Sequence, residues 1–282
     1  MTRHPCLVSL LIGSLSPLAH AADATVDPAL PPACSAGNNA WLASNPRVPL
    51  AIVDDQSIAS PDASCCAAWK SPDTPWQGID AWGQSLNIAR VTGDHEYDAS
   101  QCWELTLTPN NDNGRAALYV SGDWTPSPSF EWQPSPQQHA EFTAFVAALR
   151  ILTVSPEYHQ ADYTKRRDPQ PAFFELPKSD DAHNVHPTKF AAMGGSTFAL
   201  AYIASDGTWK LGTLLNDTAI PVGPVDTYDI VAIVDMNADG LPEVVVHTDE
   251  GPAWNDVVLT LHNPYQRYAW SITATSVLGG TM

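Results

Sequence analysis

Between Ile230 and Val246 the chain reads Ile-Val-Ala-Ile-Val-Asp-Met-Asn-Ala-Asp-Gly-Leu-Pro-Glu-Val-Val-Val, two β-branched runs separated by a short acidic loop. β-branched side chains are stiff about χ1 and suit an extended backbone, so the runs predict two strands with the loop as their connection. Within it Asp235, Asn237, Asp239 and Glu243 stand at loop positions 1, 3, 5 and 9, and Leu241 at position 7 offers its carbonyl. Alternate side chains of a turning backbone converge on one point, and hard oxygen donors of this kind suit Ca2+. Gly240 at position 6 permits the positive φ that bends the chain around an ion. The same residues also serve a metal-free turn, where Asn, Asp and Gly dominate for backbone reasons. The full ligand spacing together with the glycine favours the ion.

An EF-hand would need a bidentate Glu at position 12 and a helix on each side, whereas Val246 holds that position and the flanks are β-branched. The loop resembles instead the FG-GAP or VCBS repeat, which carries D-x-[DN]-x-D-G-x-x-[DE] between two strands of a β-propeller. Phe198 to Ser205, the turn Asp206-Gly207 and Trp209 to Asn216 look like that repeat's outer hairpin, and Asp256 to His262 like its next strand. Ala238 replaces the repeat's usual Gly, and a single copy is present. Propellers close only with several blades, so the resemblance, over residues 198–263, implies a blade-like C-terminal part and not a complete propeller. It also implies an ion that holds strands together and turns over no substrate.

The N-terminus carries a different signal. Residues 1–21 combine Arg3 and His4, an apolar stretch from Cys6 to Leu18 and the small-x-small ending Ala19-His20-Ala21, as in a secretory signal peptide. Cys6 precedes the apolar core, which argues against a lipoprotein anchor, and no later run reaches the roughly 18 apolar residues of a membrane span. The expectation is a mature chain from Ala22, exported to a periplasm or the medium. Beyond the signal lie Cys34, Cys65, Cys66 and Cys102, an even set that suggests two disulfides in an oxidising compartment. Adjacent cysteines have Cα atoms about 3.8 Å apart, awkward for bridging each other, so Cys65 and Cys66 each pair with Cys34 or Cys102 and the connectivity stays open.

With 13 Lys plus Arg against 31 Asp plus Glu, the formal charge is -18. Such a chain repels phosphate backbones, which excludes nucleic acid as a partner. Its acidity favours solubility and weakly attracts divalent cations.

Along the chain, residues 22–33 are an aperiodic Ala, Asp and Pro lead-in. Residues 34–132 form a disulfide-containing β-rich region with strands at Val48–Val53, Leu86–Val91, Cys102–Thr108 and Ala116–Val120, the last two read as a hairpin across Asn110-Asn-Asp-Asn-Gly114. The proline-rich stretch Trp124–Pro136 ends that region. Residues 133–189 hold a helix from Gln137 to Val154, with Phe142, Phe145, Val146 and Leu149 as its apolar stripe, and then an irregular linker. Residues 190–282 return to a β pattern and contain the calcium loop. The fold class is therefore mainly β, built of antiparallel hairpins, with one amphipathic helix.

Groups suited to catalysis are sparse. His183 and His186, near Asp180 and Asp181, have metal-ligand spacing on a helix, but Asn184 and Pro187 point to a loop. Gly93-Asp-His-Glu-Tyr-Asp98 gathers His95, Glu96 and Asp98, an acid-base set if it lined a cleft and otherwise a turn between strands. Gly194-Gly195-Ser196-Thr197 lacks the G-x-S-x-G elbow of a Ser hydrolase. Among ten tryptophans, Trp76, Trp82, Trp124 and Trp132 sit in loop-like contexts where a ring either fills core or presents a flat platform to a sugar. Together these features suggest an exported calcium-stabilised binding or structural module whose partner is a protein or glycan. The alternative is a secreted hydrolase with its active site in the N-terminal half, or built on the two histidines of the later loop.

Overall fold

The computed structural model describes residues 40–43, 49–53, 58–60, 75–96, 103–109, 116–121, 130–153, 170–175, 188–195, 197–215, 227–237, 241–249, 254–262 and 269–276. All of them belong to the compact unit Pro31–Met282. The signal-like segment 1–21, the lead-in and all of Cys34, Cys65, Cys66 and Cys102 lie outside the described residues.

The first sheet comprises β1 (Ala40–Ala43), β2 (Pro49–Val53), β3 (Ile58–Ala59), β4 (Trp76–Ile79), β5 (Ser85–Glu96), β6 (Trp103–Pro109) and β7 (Leu118–Ser121), in the order β3-β2-β1-β7-β4-β5-β6. After it comes the helix α1 (Pro136–Thr153). The second sheet is a meander of β8 (Ala172–Glu175), β9 (Lys189–Met193), β10 (Phe198–Ile203) and β11 (Trp209–Leu215). The third is a meander of β12 (Thr227–Val234), β13 (Glu243–Asp249), β14 (Trp254–His262) and β15 (Ala269–Thr275). Neighbouring strands are antiparallel in all three sheets. The fold is mainly β with one helix, as the sequence implied.

The third sheet lies between the other two. On β13, Val244 and Val246 pack toward the second sheet while Val245 packs toward the first. On β14, Val257 and Leu259 take the former side and Val258 the latter. A strand covered on both faces reads as a continuous apolar run rather than an alternation, which explains Val-Val-Val and Val-Val-Leu. The register shift between Ile230 and Ala232 reverses the parity of β12. Tyr228 and Ile233 therefore share one face despite odd spacing, with Ala232 and Val234 on the other.

The two interfaces differ in composition. Toward the second sheet they meet large rings: Phe174 and Phe190 stack at 5.4 Å, and the ring of Trp270 stands edge-on to both at 6.1 Å. Toward the first sheet the contacts are small or branched, among them Ala51, Ala232, Val245, Val258 and Ala274. The outer face of the second sheet carries α1 through Phe142 and Val146, both buried, with Phe145 and Leu149 beside them. This is the stripe read from the sequence. Ser135 caps the helix: its Oγ accepts the Gln138 N–H at 3.2 Å and Gln138 Oε1 accepts the Ser135 N–H at 3.0 Å, a reciprocal capping box followed by Pro136 in the first turn.

Three expectations need correction. β6 and β7 do not form a hairpin: β6 pairs with β5, and β7 lies between β1 and β4. Every residue of β7 is buried, which suits a central position, whereas Thr106 and Thr108 of β6 are exposed, which suits an edge. Second, Gly93–Glu96 is not a turn but the end of β5, because β6 supplies ladder partners as far as Glu96↔Trp103. Third, the stretch read as irregular linker contains β8, which extends the second sheet against β9.

The second and third sheets are joined at Gly195, whose N–H and C=O exchange 2.8 Å hydrogen bonds with Tyr228. Gly195 has φ 117°, and a Cβ on the neighbouring Gly194 would fall 2.0 Å from the Tyr228 carbonyl oxygen. The β10–β11 turn is less crowded: Gly207 has φ 78° and nothing within 4 Å of a Cβ position. Beside it, Thr208 donates from its hydroxyl at 2.6 Å and its N–H at 2.9 Å to Asp206 Oδ1. These bonds, with a smaller contribution from Lys210, hold the Asp206 carboxyl below the ordinary aspartate range.

Gly194→Ala is expected to lose at least about 3 kcal/mol in urea denaturation, since a backbone carbonyl must move. Gly207→Asn should change stability by less than about 0.5 kcal/mol because Asn tolerates the left-handed region. An NMR titration should place Asp206 below its ordinary value and show it rising in Thr208→Val. Because the folded value is the lower one, the associated stability is present above the unfolded pKa and is lost as pH falls through the folded pKa.

Candidate metal centre

Val234 pairs with Glu243 as the last rung of the β12–β13 ladder, so residues 235–242 form the connecting loop. Strands on both sides exclude an EF-hand. The loop is drawn inward at both ends. Met236 is fully buried in the core toward the first sheet, and Leu241 packs against the core toward the second. These anchors carry the neighbouring polar groups inside: Asp235 is 1 % exposed, Asn237 8 % and Glu243 0 %. Glu243 Oε2 accepts the Met236 N–H at 2.8 Å, tying the two ends of the loop together.

Four of the five expected ligands, Asp235, Asn237, Leu241 and Glu243, thus occupy one short buried or half-buried connection. Asp239, with Ala238 and Gly240, lies outside the described residues. Among the described residues no group of three or more His, Cys, Asp or Glu side chains gathers as a metal site, and this loop, with Asp239 outside them, contributes only Asp235 and Glu243 of that kind. The donor set fits a hard cation: two carboxylates and an amide are withdrawn from water, and buried carboxylates are costly unless paired, hydrogen-bonded or bound to a cation.

The other candidates lie partly outside the described residues. His95 and Glu96 belong to β5, with backbone partners Glu104 and Trp103, while Asp98 lies outside the described residues, as do His183 and His186. Trp76 is core, 1 % exposed, in the cluster on the outer face of the first sheet. Trp124 is outside the described residues. Trp132 is nearly buried and donates from Nε1 to the Phe190 carbonyl at 3.2 Å, whereas Trp82, at the β4–β5 turn, is only partly buried.

One polar pair escaped the sequence reading. His247 and Asp256 face each other on β13 and β14, with Nδ1 2.6 Å from Oδ1. The Asp256 side chain is 1 % exposed and that of His247 29 %. Ser276 Oγ accepts the Asp256 N–H at 3.0 Å, fixing the strand end beside the pair. Nine residues of separation gave no motif, because the pairing is a product of hairpin register.

No family model, curated protein or solved structure matches this chain. No helix among the described residues is long and apolar enough to cross a membrane.

His247→Leu removes the ring partner of a buried carboxylate and is expected to cost about 1.5–3 kcal/mol in urea denaturation. His247→Gln, which keeps a donor, should cost less. Equal losses in the two variants would mean that the histidine contributes packing alone.

Proposed function

We propose that this chain is an exported binding or structural module whose C-terminal sheet is locked by a Ca2+ ion in the 235–243 loop. Burial of Asp235, Asn237 and Glu243 in one strand connection is the observation that carries this reading. Asp235 and Glu243 supply charge, Asn237 supplies a neutral oxygen, and Asp239 and the Leu241 carbonyl complete the set expected from the spacing. When bound, the ion contributes neutralisation of the carboxylates and a cross-link between β12 and β13. The Met236 N–H already orients Glu243 for that role.

The likeness to an FG-GAP or VCBS repeat is supported by the position of the loop, which joins the first two strands of a four-stranded antiparallel meander. The β10–β11 hairpin of the same likeness belongs to the adjoining sheet. Export is inferred from residues 1–21, and two disulfides are inferred from the four cysteines that follow. A site closed by protein oxygens serves structure, since a catalytic metal keeps a position open for substrate.

For a module with Kd of about 10⁻⁴–10⁻³ M, calcium at ten times Kd stabilises by roughly 1.4 kcal/mol. Residues 22–282 should accordingly melt about 3–6 °C higher in calcium than in chelator. Magnesium at equal ionic strength should give little shift, being reluctant to shed its water. Asp235→Asn with Asp239→Asn should abolish the calcium effect, and in the unmodified chain it should fade on acidification as protons compete for the carboxylates. An equal response to magnesium, or one that survives the double substitution, would sink the assignment.

A further inference from the structure

A cavity of about 570 Å³ opens where the β4–β5 turn, the segment leading into α1, the start of β8 and the middle of β12 meet. Its volume lies within the roughly 300–1,000 Å³ typical of small-molecule sites. None of the described residues of the calcium loop lines it.

The walls are fixed by backbone hydrogen bonds. Ala81 O accepts the Ile233 N–H at 2.8 Å, fastening the β4–β5 turn to β12. Within that turn Asp80 Oδ1 accepts the N–H groups of Trp82 at 2.9 Å and Gln84 at 2.8 Å, so the backbone carrying Trp82 is held. Opposite, Trp132 donates to the Phe173 carbonyl at 3.2 Å and Glu175 to the Phe130 carbonyl at 2.7 Å, which adds segment 130–132 to β8. The site is therefore preformed, and binding would order little of it.

The lining divides into flat apolar surfaces and a polar rim. Trp82 is the partly buried ring, and Ile230 and Ile233 form apolar floor. Around the opening, Glu131, Gln133, His139 and Gln170 are exposed, and Gln133 Nε2 donates to Glu131 Oε1 at 3.0 Å. Planar amides and a carboxylate offer donors and acceptors side by side. That combination matches a sugar ring, which has an apolar C–H face and a rim of hydroxyls that both donate and accept.

Charge and ring geometry narrow the ligand. Among the described residues no Lys or Arg lines the cavity, Glu131 is there, and the chain carries -18, so an anion is disfavoured. A quaternary ammonium needs several open aromatic faces. Here Lys189 Nζ already lies 4.7 Å from the Trp132 ring centroid, and Phe173 stands edge-on to Trp132 at 5.6 Å and is itself 7 % exposed. We propose that this cavity binds a neutral oligosaccharide, with Trp82 as the stacking platform and Glu131, Gln133 and Gln170 reading its hydroxyls. Asp80 is a positioning residue that holds the platform.

The test is isothermal titration, with tryptophan fluorescence in parallel, of the calcium-loaded chain with cellotetraose, mannotetraose, maltotetraose and chitotetraose. Tetragalacturonate, choline and a proline-rich decapeptide serve as comparison ligands. At least one neutral tetrasaccharide should saturate the protein, with affinity falling at least about tenfold in Trp82→Ala. Gln133→Ala, an exposed substitution that leaves the core intact, should weaken the same ligand about threefold or more. The proposal is overturned if no neutral sugar saturates by roughly 10 mM, if both variants bind as the parent does, or if only choline, the acidic sugar or the peptide binds. Failure of the calcium melt would leave this outcome untouched, because the two sites share no described residue.

Discussion

Burial of the third sheet on both faces is the constraint on which the rest of this structure depends. Val244, Val246, Val257 and Leu259 face one neighbour, and Val245, Val258 and Ala274 the other, so nearly every position of its central strands is withdrawn from water. Each side chain of this size contributes about 1.5–3 kcal/mol when fully buried, and the interior strands leave little room for a polar residue. Polar groups nonetheless enter at the strand ends, Thr248, Asn255 and Asp256 where β13 meets β14 and the 235–242 connection at the other end. Met236 and Leu241 pull the 235–242 connection into the two flanking cores, and Asp235, Asn237 and Glu243 go in with it. The interior position of these donors is a consequence of apolar packing on either side.

The two faces of the sheet solve different packing problems. Aromatic rings fill the space toward the second sheet, where Tyr228 and Gly195 bring the backbones into direct hydrogen-bonding contact. Such close approach requires the missing Cβ at Gly194. Toward the first sheet, aliphatic side chains, many of them alanine and valine, fill the interface without rings. Where the β4–β5 turn reaches past this interface to bond Ile233, and the chain passes from Phe130 into α1, the layers do not meet and a cavity remains. The same Ala81 to Ile233 bond that joins the first sheet to β12 therefore also sets one wall of the proposed sugar site.

Local patterns were legible in proportion to how far a segment's neighbours in space are also its neighbours in sequence. The β10–β11 hairpin is one case, since Asp206, Gly207 and Thr208 make its turn by themselves. The helix is another, because Phe142, Val146 and the Ser135–Gln138 cap lie within a few turns of chain. By contrast, β7 could not be assigned its partners from sequence: β1 and β4 are far away along the chain, and the intervening Asn-rich segment suggested a local hairpin instead. Strands as short as β1, β4 and β8 hold too few residues to show a period, and they exist because a longer strand lies beside them.

The 235–243 loop, proposed to hold calcium, divides along the same line. The sequence by itself determined the order of oxygen donors from Asp235 to Glu243, the glycine among them and the strands on either side, because ligand spacing is a property of consecutive residues. Only the tertiary structure decided that Asp235, Asn237 and Glu243 are buried, since burial comes from two other sheets closing over β12 and β13. It likewise decided that His247 meets Asp256, by hairpin register, and that Trp82 borders a cavity with residues more than forty positions away. Nothing local specifies such contacts; they arise from the way three sheets stack when their apolar faces leave water.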